Sequence, residues 1–152
     1  MKILLLEDDT LLHEIIEEFL EELEYETVST YDGQEAYELI FEQHFDLLIL
    51  DVNVPSINGF DLLKNLKANS IDIPTIFITS LHTTKDMETG FNAGADDYIR
   101  KPFHLSELKL RIDNIKRLRK IESKEEQKIN DEISYNYDLK TILLKDEKFQ
   151  LS

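Results

Sequence analysis

The chain has no cysteine, which removes disulfides, thiolate metal sites and cysteine nucleophiles together and leaves the redox compartment open. Basic residues are in short supply. Seventeen Lys and Arg against 32 Asp and Glu leave a net charge of −15, and so negative a surface argues against direct binding of a polyanion such as nucleic acid. No apolar run approaches the roughly 20 residues a membrane helix needs. The first residues enter a short strand pattern without the layout of a signal peptide. The expectation is a cytoplasmic protein with no membrane partner. What is present is a mixed composition, 41% hydrophobic and 32% charged over 152 residues. That suits one well-buried domain of about 120 residues with a small appendage.

Apolar runs of strand character alternate with stretches of helical period. A strand over Lys2 to Glu7 precedes a helix from Thr10 to Leu23, where Leu12, Ile15, Ile16, Phe19, Leu20 and Leu23 recur at three- and four-residue spacing. Next come a strand over Glu26 to Ser29 and a helix over Asp32 to Glu42, with Ala36, Leu39 and Ile40 facing inward. The third strand, Asp46 to Leu50, is apolar on consecutive positions, as expected at the centre of a sheet covered on both faces. Pro55 and Gly59 bracket a loop before a helix over Phe60 to Lys67, and Pro74 precedes a strand over Thr75 to Thr79. A helix over Lys85 to Ala93 ends at Gly94; a short strand, Asp97 to Ile99, precedes a last helix over Ser106 to Ile121 with Ser106 as its N-cap. Five βα units of this kind predict an α/β, flavodoxin-like, doubly wound five-stranded parallel sheet with strand order 2-1-3-4-5.

The chemistry collects at one edge of that sheet. Glu7 and Asp8 close the first strand and Asp51 closes the third. The predicted order makes those strands neighbours, so the three carboxylates converge at the carboxyl ends, where open α/β sheets bind ligands. Acidic groups crowded together resist ionisation unless a cation sits among them, and an all-oxygen set suits Mg2+ better than zinc or copper. A metal-assisted phosphoryl site is the reading these residues support.

Glu7-Asp8-Asp9, Asp51 within Leu-Ile-Leu-Asp-Val-Asn-Val-Pro, Gly59, Thr79-Ser80 and Asp97-Tyr98-Ile99-Arg100-Lys101-Pro102-Phe103 together resemble the receiver domain of two-component response regulators, the CheY-like fold. The resemblance covers residues 1 to about 121. It implies that Asp51 is the phosphoacceptor, that Glu7, Asp8, Asp51 and the main-chain carbonyl of Asn53 hold Mg2+, and that Lys101 and the Thr79 hydroxyl contact the phosphoryl oxygens. It further implies a switch in which Thr79 moves toward the phosphoryl group and Tyr98 rotates inward, and a cis bond between Lys101 and Pro102. The partner would be a sensor histidine kinase. Self-phosphorylation and slow loss to water would be the only reactions, and the chain would not be an enzyme. Phosphatases of the haloacid-dehalogenase type carry a second Asp two residues after the nucleophile, where this chain has Asn53.

Gly94-Ala95-Asp96-Asp97-Tyr98-Ile99 and the basic last helix resemble the OmpR/PhoB class of winged-helix transcription factors. That class implies a homodimer through the fourth helix, fifth strand and fifth helix, with Asp97, Glu107 and Arg111 among its charged positions. Met87 and Leu118 depart from that charge pattern. Residues 122–131 read as a linker. Ile133 to Tyr137, Thr141 to Leu144 and Lys148 to Ser152 read as short strands in 132–152, resembling an incomplete β platform of a winged-helix effector domain. DNA contact would then need an effector domain with a recognition helix, which this sequence does not contain. A receiver-only adaptor and a pseudo-receiver that never takes phosphate are the rival readings. His13, His44, His82 and His104 share no ligand spacing and read as surface or loop residues.

Overall fold

The structure, a computed structural model, describes residues 1–81 and 83–119. Five strands and five helices alternate: β1 (Lys2–Leu6), α1 (Thr10–Glu22), β2 (Glu26–Thr30), α2 (Gly33–Glu42), β3 (Leu47–Leu50), α3 (Gly59–Ala68), β4 (Thr75–Thr79), α4 (Thr84–Asn92), β5 (Asp97–Arg100) and α5 (Leu105–Arg119). All paired strands are parallel, in the order β2-β1-β3-β4-β5. The predicted topology is the observed one. The linker at 122–131, the β platform at 132–152 and His82 lie outside the described residues. Residues 1–111 form a compact unit, and the candidate site lies within it.

Alternation along the central strands sorts side chains between two helical layers. Leu4, Leu6, Leu48, Leu50 and Phe77 share one buried cluster with Ala36 and Ile40 of α2 and Leu62, Leu63 and Leu66 of α3. Ile3, Leu5, Leu47, Ile49, Ile76 and Ile78 alternate with them and are buried too, so both faces of the sheet are covered. In α1 the buried positions are His13, Ile16 and Leu20. Ile15 is 41% exposed, because the helix turns it away from the buried line at i, i+3 and i+7.

Four helices start at capping side chains that satisfy otherwise orphaned N–H groups. Asp9 accepts from Leu12, Asp32 from Gln34 and Glu35, and Asn58 from Asp61; Thr83 and Asp86 form a reciprocal capping box. Each is worth about 1 kcal/mol. Ser106 is not the cap the sequence predicted. Helix α5 begins one residue earlier, and the first-turn amides of Glu107 and Leu108 donate to the His104 carbonyl, which places Ser106 inside the helix.

Leu48 is fully buried on the central strand. Leu48→Ala is expected to lower unfolding free energy by about 2–5 kcal/mol, with little change in denaturant slope, as measured by urea unfolding followed by circular dichroism.

Candidate functional site

Strand pairing builds the site. Leu6 of β1 lies opposite Leu50 of β3, so Glu7 and Asp51 leave the sheet side by side, and the Asp51 N–H donates to the Leu6 carbonyl at 2.8 Å. Glu7 is 1% and Asp51 4% exposed, whereas Asp8 is exposed. One oxygen from each of the three carboxylates lies within 4.8 Å of the others. Asp9 takes no part in this cluster and caps α1 instead.

Lys101 enters from the far side. Thr79 of β4 lies opposite Arg100 of β5, the Lys101 N–H donates to the Thr79 carbonyl at 2.9 Å, and the Lys101–Pro102 bond is cis. The Lys101 Nζ lies 2.7 Å from Glu7 Oε1 and 3.0 Å from Asp51 Oδ2. Two buried carboxylates thus share one ammonium. Burial is the main reason that the Glu7 pKa is pushed up from 4.5 to about 7; the Asp51 charge adds to it, while Lys101 and the Asp9 N–H oppose it. Burial also works against a charged Lys101, but the Glu7 and Asp51 carboxylates outweigh it and hold that pKa above its ordinary value.

The donor set fits a hard divalent cation. Three carboxylates against one ammonium leave a formal deficit that such a cation cancels. Asp51 Oδ1 accepts from the Val52 N–H at 2.7 Å, and Glu7 Oε2 from the Asp9 N–H at 3.0 Å. Glu7 Oε1 meets Lys101 as an ion pair but has no partner in hydrogen-bonding geometry, so this buried oxygen retains acceptor capacity. Oxygen ligands of this kind suit Mg2+.

Thr79 and Tyr98 are both buried and meet at the main chain of Leu81. The Leu81 N–H donates to Thr79 Oγ1 at 3.3 Å, and the Tyr98 hydroxyl donates to the Leu81 carbonyl. Burial, followed by the charges of Asp86 and Asp51, pushes the Tyr98 pKa up to about 12. The Tyr98 ring faces inward while the Thr79 hydroxyl is still held by Leu81. The role of Leu81 left no trace in the sequence, because it is played by main-chain atoms.

Asp97 and Glu107 take no part in the acidic cluster. Asp97 Oδ2 pairs with Arg111 Nη1 at 3.4 Å, and Glu107 sits half-buried in the first turn of α5. Asn53 has an exposed side chain in the loop after β3. His44 and His104 are exposed, as expected, but His13 is not a surface residue. It is 2% exposed, stacked on Tyr31 with ring centroids 4.0 Å apart, and its Nδ1 lies 2.8 Å from the Glu7 carbonyl. A hydrogen-bonded, stacked imidazole is buried at little cost, and nothing in its spacing along the chain disclosed those partners.

Because the Glu7 pKa is higher in the folded chain than in the unfolded one, the native state holds more protons between pH 4.5 and about 7, and its contribution to stability falls as pH rises through that window. Without Mg2+, the melting temperature is expected to drop by several degrees from pH 5 to pH 8, and Glu7→Gln should flatten that drop. Mg2+ binding, which needs the ionised carboxylate, should be about tenfold weaker at pH 6 than at pH 8. Scanning calorimetry and titration calorimetry measure the two effects.

Residues 3–113 match the response regulator receiver domain family. The transcriptional regulatory protein CrdR of Helicobacter pylori is 49% identical over 112 residues, which are 73% of this chain and 53% of CrdR. The chain spans about half the length of the curated relatives it matches. Among solved structures, the non-phosphorylated HemR receiver domain from Leptospira biflexa is 37% identical with a TM-score of 0.70, over 75% of this chain and 92% of that one. The receiver domain of the sensor histidine kinase PA1611 from Pseudomonas aeruginosa, which has a magnesium ion coordinated in its active-site cleft, is 31% identical with a TM-score of 0.65, over 71% of this chain and 90% of that one. With its sheet order, its acidic cluster and these matches taken together, the chain belongs to the response regulator receiver domain family.

Proposed function

We propose that Asp51 accepts a phosphoryl group from a sensor histidine kinase, in a Mg2+-dependent step, and that the modified chain acts as a homodimeric switch for transcription of the OmpR/PhoB type. The observation that carries this reading is the Lys101 ammonium within 3.0 Å of buried Asp51 and 2.7 Å of Glu7, at the sheet edge where Thr79 also ends its strand. An Asp51 oxygen forms the new O–P bond as the P–N bond of a phosphohistidine breaks, and the electron pair leaves with the imidazole nitrogen. Lys101 stays within reach of a phosphoryl oxygen by trading its contact with Asp51, and the Thr79 hydroxyl turns from the Leu81 N–H to donate to another. Glu7, Asp8, Asp51 and the Asn53 carbonyl would hold Mg2+, which would supply charge neutralisation for the transferring group. The magnesium ion in the PA1611 receiver domain supports that choice of metal.

The reaction is self-modification followed by slow loss of phosphate to water, so the chain turns over no separate substrate. Among the described residues no helix is long and apolar enough to cross a membrane, which is compatible with a cytoplasmic place of action. The Asp97–Arg111 pair joins β5 to α5, and with Glu107 it supplies charge on the face proposed to dimerise. Contact with DNA belongs to an effector domain with a recognition helix, and the transcriptional regulatory role of CrdR supports that assignment.

Incubation with Mg2+ and acetyl phosphate is expected to add one phosphoryl mass to the wild type and none to Asp51→Asn, as read by intact mass spectrometry. Lys101→Ala and Thr79→Ala should slow the addition by about 10–1,000-fold. Light scattering with beryllofluoride should show dimers. A phosphoryl adduct without dimerisation would favour a receiver-only adaptor, and Mg2+ binding without any adduct would favour a pseudo-receiver.

A further inference from the structure

The loop between β3 and α3 is fastened at two points. At its end, the Gly59 N–H donates to the Val52 carbonyl at 3.0 Å, and a Cβ on Gly59 would lie 2.5 Å from the Asp51 carbonyl oxygen. Only glycine lets α3 start this close to the Asp51 main chain. At its middle, the loop docks on the start of α2. The Gly33 N–H donates to the Pro55 carbonyl at 3.0 Å, and the Ser56 hydroxyl donates to Asp32 Oδ2 at 2.8 Å. A Cβ on Gly33 would come within 1.9 Å of the Ile57 carbonyl oxygen. That atom belongs to the main chain, so any larger residue at 33 must push the loop away.

Asp32 works in two directions at once. Its Oδ1 accepts from Gln34 and Glu35 to cap α2, while its Oδ2 takes Ser56. The Ser56 bond first, and then the Glu35 and Gln34 amides, hold its carboxyl below the usual range. Ser56 itself has φ +73°, a left-handed turn that offers its hydroxyl to Asp32. Between the two fastenings runs Val52–Asn53–Val54, where the Val54 N–H donates to the Val52 carbonyl at 3.1 Å and the Val52 N–H to Asp51 Oδ1 at 2.7 Å.

We propose that Gly33, Asp32 and Ser56 are positioning residues for the metal: they clamp the loop that carries the main-chain carbonyl of Asn53, the ligand proposed to join Glu7, Asp8 and Asp51. This rests on the reading of the acidic cluster as a Mg2+ site. A main-chain ligand has no rotamers of its own, so its placement is set wholly by whatever holds the loop. Groups one step removed from a metal act on affinity in this way.

The test is Mg2+ titration calorimetry on the full 152-residue chain as wild type, Ser56→Ala, Gly33→Ala and Ile40→Val. The last trims a buried methyl group from α2 and leaves Asp32, Gly33 and Ser56 in place. Ser56→Ala removes one exposed hydroxyl and should fold normally. It is expected to weaken Mg2+ binding threefold to tenfold, and Gly33→Ala tenfold or more, while Ile40→Val leaves it unchanged. In acetyl phosphate reactions the two loop variants should need correspondingly more Mg2+ for half-maximal rate, yet reach nearly the wild-type rate at saturation. If the wild type binds Mg2+ and Ser56→Ala binds it within twofold as tightly, the clamp is overturned whatever Gly33→Ala does. If Ile40→Val weakens binding as much as Ser56→Ala, the effect is general destabilisation and the proposal also fails. If the wild type itself binds no Mg2+, the reading of the acidic cluster fails first.

Discussion

Everything at the working edge depends on one ammonium shared between two buried carboxylates. Glu7 and Asp51 are taken out of water by the same strands that place them together, and without Lys101 both would be uncompensated charges in a poorly solvated site. The arrangement is only partly balanced, because Asp8 adds a third carboxylate and Glu7 keeps a pKa near 7. The residual strain is electrostatic and local. A site whose charges were fully satisfied by the protein would have no reason to take a cation.

The sheet contributes spacing and little else. Parallel register fixes where β1, β3, β4 and β5 end, and each of those ends delivers one kind of chemical group: two carboxylates after β1, one after β3, a hydroxyl from β4 and an ammonium after β5. Short connections then keep each group near its strand. The same economy brings Thr79 and Tyr98 to the main chain of a single residue, Leu81, which bonds to both.

Most of this was legible in the sequence where a pattern has a period or a chemical type. The four consecutive buried leucine and isoleucine positions of β3 announced the central strand, and the acidic residues after β1 and β3 announced the cluster. What could not be read depends on main-chain atoms or on distant packing. Burial of His13 needs Tyr31 and the Glu7 carbonyl, 18 and 6 residues away in sequence. The start of α5 rests on the His104 carbonyl and not on the hydroxyl of Ser106, and Gly33 matters because of a carbonyl oxygen 24 residues later.

The opposite edge of the sheet is built on different terms. There α1 turns back toward β2 through Glu24 at φ +65°, α3 toward β4 through Ser70 at φ +61°, and α4 toward β5 through Gly94 at φ +109°. Each is a compact turn, and none supplies a group to the acidic cluster. Two of the three use a side-chain-bearing residue in a conformation that costs it energy, a cost the packed helices on either side absorb. Changes of length in those turns leave the groups of the acidic cluster where they are. The molecule has one face held by chemistry and another held only by geometry, and descendants of this chain can diverge on the second without losing the first.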